Sequence, residues 1–173
     1  MRYMTDSEWT IRPAEPTDVE QIFGLIVELA EHQRAADQVA TTPGRLAESL
    51  FPDGSKAALW GHVAVETSTG AVGGMVLWFL NYSTWEGHHG IHVEDLYVQP
   101  ALRGHHIGRR LLAAVAQVAV ERGYARFELS VIDWNTPSIE FYKRLGGEPL
   151  TEWIGYRFEP NRLQSLASDG QDL

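Results

Sequence analysis

The sequence predicts an α/β domain in which helices flank both faces of a mixed, mostly antiparallel sheet. Three observations predict this fold. Two β-rich runs, at residues 58–67 and 71–80, are separated only by the turn-forming residues 68–70, which is typical of a hairpin. A third run at 90–98 continues them as a meander. Beyond it, two helical patterns alternate with a further β-rich run, which places helices against the sheet.

The first 50 residues are predicted to form one strand and two helices. Residues 9–13 have the composition of a short strand, and Thr17 or Asp18 is suited to cap the helix that follows. Apolar side chains then recur at helical spacing through residues 17–32. A second, shorter helix is predicted at 43–50, because a proline occupies its first turn.

The second half of the chain is predicted to alternate helices and strands. One helix follows Gly108, with apolar residues on one side, and is stopped by Gly123. A strand at 127–132 and a short helix at 136–146 come next. An aromatic-rich run at 153–158 is predicted as the last strand, paired with its predecessor.

We expect residues 1–173 to form a single domain, since the sequence shows no repeat and no linker. The folded core is expected at about 9–158, and the polar residues 160–173 are expected to be a flexible tail.

Composition excludes several classes of function. The chain has no cysteine, which excludes disulfides, thiolate catalysis and cysteine-bound metal. Its 23 acidic and 14 basic residues give a net charge of −9, which disfavours nucleic acid and favours a small cationic substrate. No apolar run reaches the roughly 20 residues of a membrane span. The first residues lack the apolar stretch of a secretion signal, so we expect a cytoplasmic location.

The segment 103–108 lies between a predicted strand and a predicted helix, where backbone amides can bind a phosphate. Gly104 and Gly108 allow close approach of a ligand, and Arg103 is a candidate phosphate donor. The alternative is a turn whose glycines serve only the backbone. No Gly-Lys-Ser/Thr follows, which excludes a nucleotide-triphosphatase loop, and the meander disfavours a dinucleotide-binding fold.

Two segments carry a resemblance to a known family. Residues 103–108 resemble the acyl-CoA pyrophosphate loop of the GCN5-related N-acetyltransferase superfamily, whose pattern is Arg/Gln-x-x-Gly-x-Gly/Ala. Residues 135–146, of the form Asn-x-x-Ser-Ile-x-Phe-Tyr-x-x-x-Gly, resemble the second signature of that superfamily. The resemblance covers about residues 9–158 and implies the fold of this superfamily.

Three further segments, at 82–87, 93–98 and 134–138, resemble the diamine acetyltransferase branch, which includes the spermidine/spermine and thialysine enzymes. This resemblance implies an acetyl-CoA-dependent N-acetyltransferase that acts on a small-molecule amine. It also implies a homodimer.

One residue departs from the superfamily pattern. His106 stands where the first loop glycine is usual. Its amide can still donate to a phosphate if φ is negative, whereas a positive φ would cost a non-glycine residue about 1 kcal/mol or more.

The resemblance also implies which residues contact acetyl-CoA. The backbone of Leu96, Tyr97 and Val98 should pair with the pantetheine arm like an added strand. Asn135 and Ser138 should contact the cofactor as well. The residues expected to hold the pyrophosphate are Arg103, Gly104, His105, His106, Ile107, Gly108 and Arg109.

Acetyl transfer to an amine needs a proton donor beside the departing thiolate, and an uncharged phenol can supply it. The resemblance places Tyr142 beside the CoA sulfur, which makes it the candidate general acid. The alternative is a core aromatic, because Ile139, Phe141 and Leu145 form an apolar pattern next to it.

The amine must lose a proton before it attacks, and Glu94 is the candidate base. The family uses the corresponding glutamate to bind the amine and remove its proton through water. The alternatives are an exposed strand residue or an ion pair with Arg126 or Arg103, while Asp95 is interpreted as structural. Strand alternation predicts that Glu94 shares a face with His92 and Leu96, opposite Val93, Asp95 and Tyr97.

The acceptor is expected to be a small primary amine. Gln33 and Ser83 stand where polyamine-acetylating relatives have carboxylates, and two missing negative charges weaken binding of a long polycation most. His32 and Trp85 are candidates to line the amine pocket, although ordinary packing explains them equally well. No metal site is expected, because His88, His89 and His92 lack matched carboxylates.

The predicted reaction is direct attack of the amine on the thioester while both substrates are bound, with a strand amide near Leu96 polarising the carbonyl. Two alternatives remain open. One is acetylation of a protein or peptide amine. The other, suggested by His106, is a CoA-binding module without turnover.

Overall fold

The structure, a computed structural model, describes residues 8–169. These residues fall into two compact units, which meet in sequence between Ser130 and Val131 and are described separately. Residues 1–7, on which the cytoplasmic expectation rests, and residues 170–173 of the predicted tail lie outside the described residues.

The first unit contains a five-stranded sheet and three helices. Its strands follow one another across the sheet in chain order, the first four antiparallel and the fifth parallel to the fourth. The predicted mixed, mostly antiparallel sheet is thus confirmed. The strands are β1 Trp9–Pro13, β2 Trp60–Glu66, β3 Val72–Ser83, β4 His88–Val98 and β5 Arg126–Leu129. The helices are α1 Val19–His32, α2 Pro43–Leu50 and α3 Ile107–Glu121.

Helices cover both faces of this sheet. On one face, α1 and α2 bury their apolar sides against alternate residues of β2, β3 and β4. The core of that face includes Ile22, Leu25, Met75, Leu77 and Tyr97. The opposite face packs against α3, whose Ile107 side chain lies 3.4 Å from the position that a Cβ on Gly74 would take.

A close approach near the start of β3 explains one glycine. Pairing between β2 and β3 shifts register so that Gly73 is the extra residue. A Cβ at Gly73 would lie 2.6 Å from the Trp9 ring and even closer to the Leu102 side chain. The segment that follows β4 therefore packs directly onto the backbone of β3.

The second unit contains two helices, α4 Thr136–Arg144 and α5 Pro160–Asp169. The predicted strand at 153–158 is wrong, because these residues form no strand in the described chain. Their apolar side chains are exposed, Trp153 by 72% and Ile154 by 78%. Aromatic composition favours a strand only where a paired and partly buried surface is present. Residues 160–169, assigned to the predicted flexible tail, are helical.

Candidate active site

The junction between β4 and α3 leaves a helix start open. A single 3-10 turn, Pro100–Leu102, follows β4, and the loop then enters α3 at Ile107. His106 occupies the cap position, and its side chain makes no capping hydrogen bond. Unsatisfied amides and the positive end of the helix dipole make such a start suitable for an anion.

His106 adopts the left-handed conformation, with φ 60° and ψ 4°. Its carbonyl accepts a hydrogen bond from the amide of Arg110 at 3.0 Å, which fixes it as the residue before the helix. The expected donation from the His106 amide to a phosphate requires a negative φ, and the observed φ is positive. A non-glycine residue in this conformation costs about 1–2 kcal/mol.

Arg103 is engaged with the strand that precedes it. Its Nε donates to the carbonyl oxygen of Val98 at 3.0 Å, and its guanidinium carbon lies 5.6 Å from the centre of the Tyr97 ring. A phosphate-binding role for Arg103 therefore stays a prediction. Gly104 has φ +83°, a conformation that requires glycine, so one of the two predicted loop glycines serves the turn itself.

A β-bulge interrupts β4 at the candidate base. Asp95 pairs with Leu77, but the next pair is Val93 with Trp78, so Glu94 is the extra residue. Paired residues share a face of the sheet. Asp95 therefore lies with Leu77 on the α1 face, while Val93 lies with Trp78 on the α3 face.

The predicted grouping of these residues is wrong, because a bulge restarts the alternation. Val93 does not share a face with Asp95 and Tyr97. His92 pairs with Phe79 and Leu96 pairs with Val76, so His92 and Leu96 lie on opposite faces. Strand periodicity alone cannot locate an extra residue.

The two adjacent carboxylates have different surroundings. Glu94 is exposed, whereas Asp95 is half-buried. Burial, together with the negative charge of Glu94, raises the pKa of Asp95 to about 6. Asp95 was interpreted as structural, and its raised pKa adds it to the candidates for proton transfer.

The candidate acceptor residues lie at two places in the first unit. His32 ends α1 and Gln33 follows it as the C-terminal cap. Ser83 and Trp85 lie at the turn between β3 and β4, where Trp85 is 88% exposed. Ser83 is buried, and its hydroxyl accepts the amide of Glu86 at 3.2 Å. Ser83 therefore shapes this turn, and its contact with an amine stays a prediction.

The second unit carries the other predicted cofactor contacts and the candidate acid. Asn135 caps α4, its side-chain oxygen accepting the amide of Ser138 at 3.3 Å. Burial raises the pKa of Tyr142 to about 12. The Tyr142 phenol is therefore protonated at neutral pH, as a proton donor must be.

Sequence reasoning missed Glu28 on α1. Its carboxylate accepts the hydroxyl of Tyr97 at 3.2 Å and the side-chain amide of Gln99 at 3.0 Å. Glu28 stands next to the apolar face of α1, between Leu25 and Leu29. An acidic residue beside a buried helix face was the available signal, since such a carboxylate needs nearby donors.

Two searches of the described residues gave negative results. No group of three or more histidine or acidic side chains there could hold a metal ion. No described helix is both long enough and apolar enough to cross a membrane.

Comparison with solved structures supports the fold. An integron cassette protein from the V. cholerae mobile metagenome, VCH_CASS6, superposes with a TM-score of 0.75 at 23% identity, over 92% of this chain and 98% of that one.

Comparison of sequences identifies the family. A thialysine N-epsilon-acetyltransferase from Bos taurus is 37% identical over 91% of this chain and 96% of its own length. A thialysine N-epsilon-acetyltransferase from Caenorhabditis elegans is 32% identical over 89% of this chain and 94% of its own length. The model of the Acetyltransferase (GNAT) family matches residues 26–147. The chain belongs to the GNAT family and is an N-acetyltransferase.

Proposed function

We propose that this enzyme moves an acetyl group from acetyl-CoA to a primary amine of a small molecule, such as a diamine, a thialysine-like compound or an amino acid side-chain amine. The observation that carries the proposal is similarity to thialysine N-epsilon-acetyltransferases along nearly the whole chain. The net charge of −9 supports it, because an acidic protein attracts a cationic substrate.

The start of α3 fits the diphosphate of acetyl-CoA. The side chain of its cap residue makes no capping hydrogen bond, and the exposed loop before it offers Arg103 and His105 to an anion. The backbone at 96–98 leads directly to this loop and is the proposed partner of the pantetheine arm, with Asn135 and Ser138 as further contacts. When bound, acetyl-CoA supplies an activated acetyl thioester, and the residues of this chain orient that thioester.

Tyr142 is proposed as the general acid. Transfer forms a bond between nitrogen and the acetyl carbon and breaks the bond from that carbon to sulfur, and the leaving sulfur takes a proton from the phenol. Because its pKa is raised to about 12, the phenol carries its proton at neutral pH, which is the protonation state that this role requires.

Glu94 is proposed to bind the amine and to accept its proton through water, with Asp95 beside it. The bulge leaves Glu94 outside the regular ladder, while the adjacent Asp95 stays paired with Leu77. A carboxylate with a pKa of about 6 is a stronger base than an ordinary aspartate, so Asp95 is suited to share the proton.

The acceptor is proposed to be short, with His32, Gln33, Ser83 and Trp85 near it. Gln33 and Ser83 are uncharged, so the second amine of a long polycation would lack a carboxylate. Thioester cleavage measured across a panel of amines tests this. We expect turnover with thialysine, lysine or ornithine and weaker turnover with spermine; acetylation of peptides alone, or CoA binding without turnover of any amine, would overturn it.

Substitution Tyr142→Phe tests the acid. We expect kcat to fall about 100-fold, because only the transferable proton is removed. Tyr124→Phe is the matched control, since Tyr124 lies after α3 with its ring against His89, and it should leave kcat unchanged. An unchanged kcat in Tyr142→Phe would refute the assignment.

The pH profile tests the carboxylates. Because the base must be deprotonated, kcat/KM should fall as the pH drops through about 6. In Glu94→Gln this acidic limb of the kcat/KM profile should move to lower pH, since the Glu94 charge is one cause of the raised pKa of Asp95. A limb that stays in place in Asp95→Asn would exclude Asp95 as the titrating group.

We also propose a cytoplasmic homodimer. The exposed apolar side chains of Trp153 and Phe158 support association, since such surface is usually covered by a partner. Sedimentation equilibrium should give twice the mass of the chain, and cell fractionation should find it in the cytoplasm.

A further inference from the structure

A polar cluster joins α1 to the end of β4. Tyr97 is only 5% exposed, yet its hydroxyl reaches the Glu28 carboxylate at 3.2 Å. The other Glu28 oxygen accepts the amide of Gln99 at 3.0 Å. One carboxylate thus accepts from a residue of β4 and from the residue that follows β4, and both of its oxygens are used.

The positions of the two donors follow from the bulge in β4. Met75 pairs with Tyr97, which places Tyr97 on the α1 face of the sheet. Gln99, two residues later, lies on the same side. Had the alternation continued from Val93 without the extra residue Glu94, Tyr97 would lie on the α3 face, away from Glu28.

The cluster continues into the loop that precedes α3. The Tyr97 ring lies 5.6 Å from the Arg103 guanidinium, whose Nε holds the last carbonyl of β4, at Val98, at 3.0 Å. Burial and the Glu28 carboxylate raise the pKa of Tyr97, so its hydroxyl remains a donor to Glu28. Glu28, Tyr97 and Arg103 form one continuous set of contacts between α1 and the first loop residue.

This set of contacts fixes the two backbone segments assigned to acetyl-CoA. One is residues 96–98, and the other is the loop that begins at Arg103. Glu28 lies on α1 and is remote in sequence from both of these segments. Fixing their geometry before binding reduces the ordering that the ligand must bring about.

We propose that Glu28 is a positioning residue for acetyl-CoA, acting through Tyr97 and Arg103 on the end of β4 and the loop before α3. The inference rests on the proposed use of acetyl-CoA. It assigns to α1 a role in holding the cofactor, in addition to its packing in the core.

Calorimetric titration with CoA tests the proposal in three variants of the full chain. In Glu28→Ala we expect the dissociation constant to rise about tenfold, because CoA must then order the end of β4 and the loop itself. In Glu28→Gln most of the affinity should return, because the amide oxygen still accepts the Tyr97 hydroxyl and Gln99 can turn its own amide over. Glu31→Ala, which removes an exposed carboxylate of the same helix, is the matched control and should bind CoA as the native chain does.

Steady-state kinetics separates positioning from a loss of stability. Glu28→Ala should raise KM for acetyl-CoA and leave kcat and KM for the amine within about twofold, whatever the amine. A fall in kcat without a change in KM for acetyl-CoA would overturn the proposal. So would CoA binding by Glu28→Ala equal to that of Glu31→Ala. If Glu28→Ala does not fold, Tyr97→Phe removes the same contact from the other side and should give the same rise in KM; a native KM in that variant would also overturn the proposal.

The outcomes distinguish this inference from the function on which it rests. If the native chain does not bind CoA, the proposed function fails. If the native chain binds CoA and Glu28→Ala binds it equally well, only the role of Glu28 fails.

Discussion

The helix α3 begins in one family signature, at 103–108, and α4 begins in the other, at 135–146. The two helix starts differ. At the start of α4, Asn135 accepts the amide of Ser138, and a proline occupies the first turn. At the start of α3, the side chain of the cap residue His106 makes no such hydrogen bond, and His106 has φ 60°. The cap residue of α4 thus satisfies an amide of its helix, and the cap residue of α3 does not.

We propose that the capped start of α4 serves stability and that the start of α3 serves binding. A side-chain cap stabilises a helix by about 1 kcal/mol. Omitting it at α3, and placing a histidine in a left-handed conformation there, costs stability. Such a cost is expected where exposed amides must meet an anion, and the family match places α3 within the acetyltransferase region.

The largest expected effect comes from closing the open start. In His106→Asp, a carboxylate at the start of α3 would interact favourably with the helix dipole and would repel a diphosphate. We expect affinity for acetyl-CoA, measured by calorimetry, to fall about 100-fold while the melting temperature rises.

A charge placed one residue earlier separates the two causes of this loss. His105→Asp adds the same charge outside the cap and should cost only about tenfold. Equal losses of affinity in both variants would show that only the added charge weakens binding. The difference between the two helix starts would then not explain binding of acetyl-CoA.

An intermediate effect is expected from opening the closed start. Asn135→Ala removes the cap of α4 and should lower the free energy of unfolding in urea by about 1 kcal/mol. Asn135→Ser keeps a capping oxygen and should retain most of the stability. If the alanine variant is as stable as the native chain, α4 does not depend on its cap.

The smallest effect concerns the backbone of His106. His106→Gly should raise the free energy of unfolding by about 0.5–1 kcal/mol, because relief of the left-handed strain exceeds the entropy that glycine loses on folding. His105→Gly is the control; of the described non-glycine residues only Arg34 and His106 have positive φ, so this glycine should not stabilise. Stabilisation by both would attribute the effect to the loop in general.

Elements that bury a periodic apolar face could be predicted from the sequence. The strand Trp9–Pro13 and the helix Pro43–Leu50 occur at the predicted residues. The strand predicted at 153–158 is absent from the described residues. Composition alone cannot predict a strand, because a strand needs a paired neighbour that composition does not reveal.

The candidate site could be predicted only in part, for a similar reason. Motifs identified the loop at 103–108 and the signature at 135–146, because both are local in sequence. The bulge at Glu94 depends on pairing with β3, and the contact of Glu28 with Tyr97 joins residues 69 positions apart. Neither leaves a periodic trace in the sequence.

The most direct test of the account is a pair of calorimetric titrations of the native chain, one with acetyl-CoA and one with acetyl-pantetheine, which lacks the nucleotide and its diphosphate. If the open start of α3 holds the diphosphate, acetyl-CoA should bind at micromolar concentration and acetyl-pantetheine about 100-fold more weakly. Equal affinities, or no heat from acetyl-CoA at about 1 mM, would contradict the account.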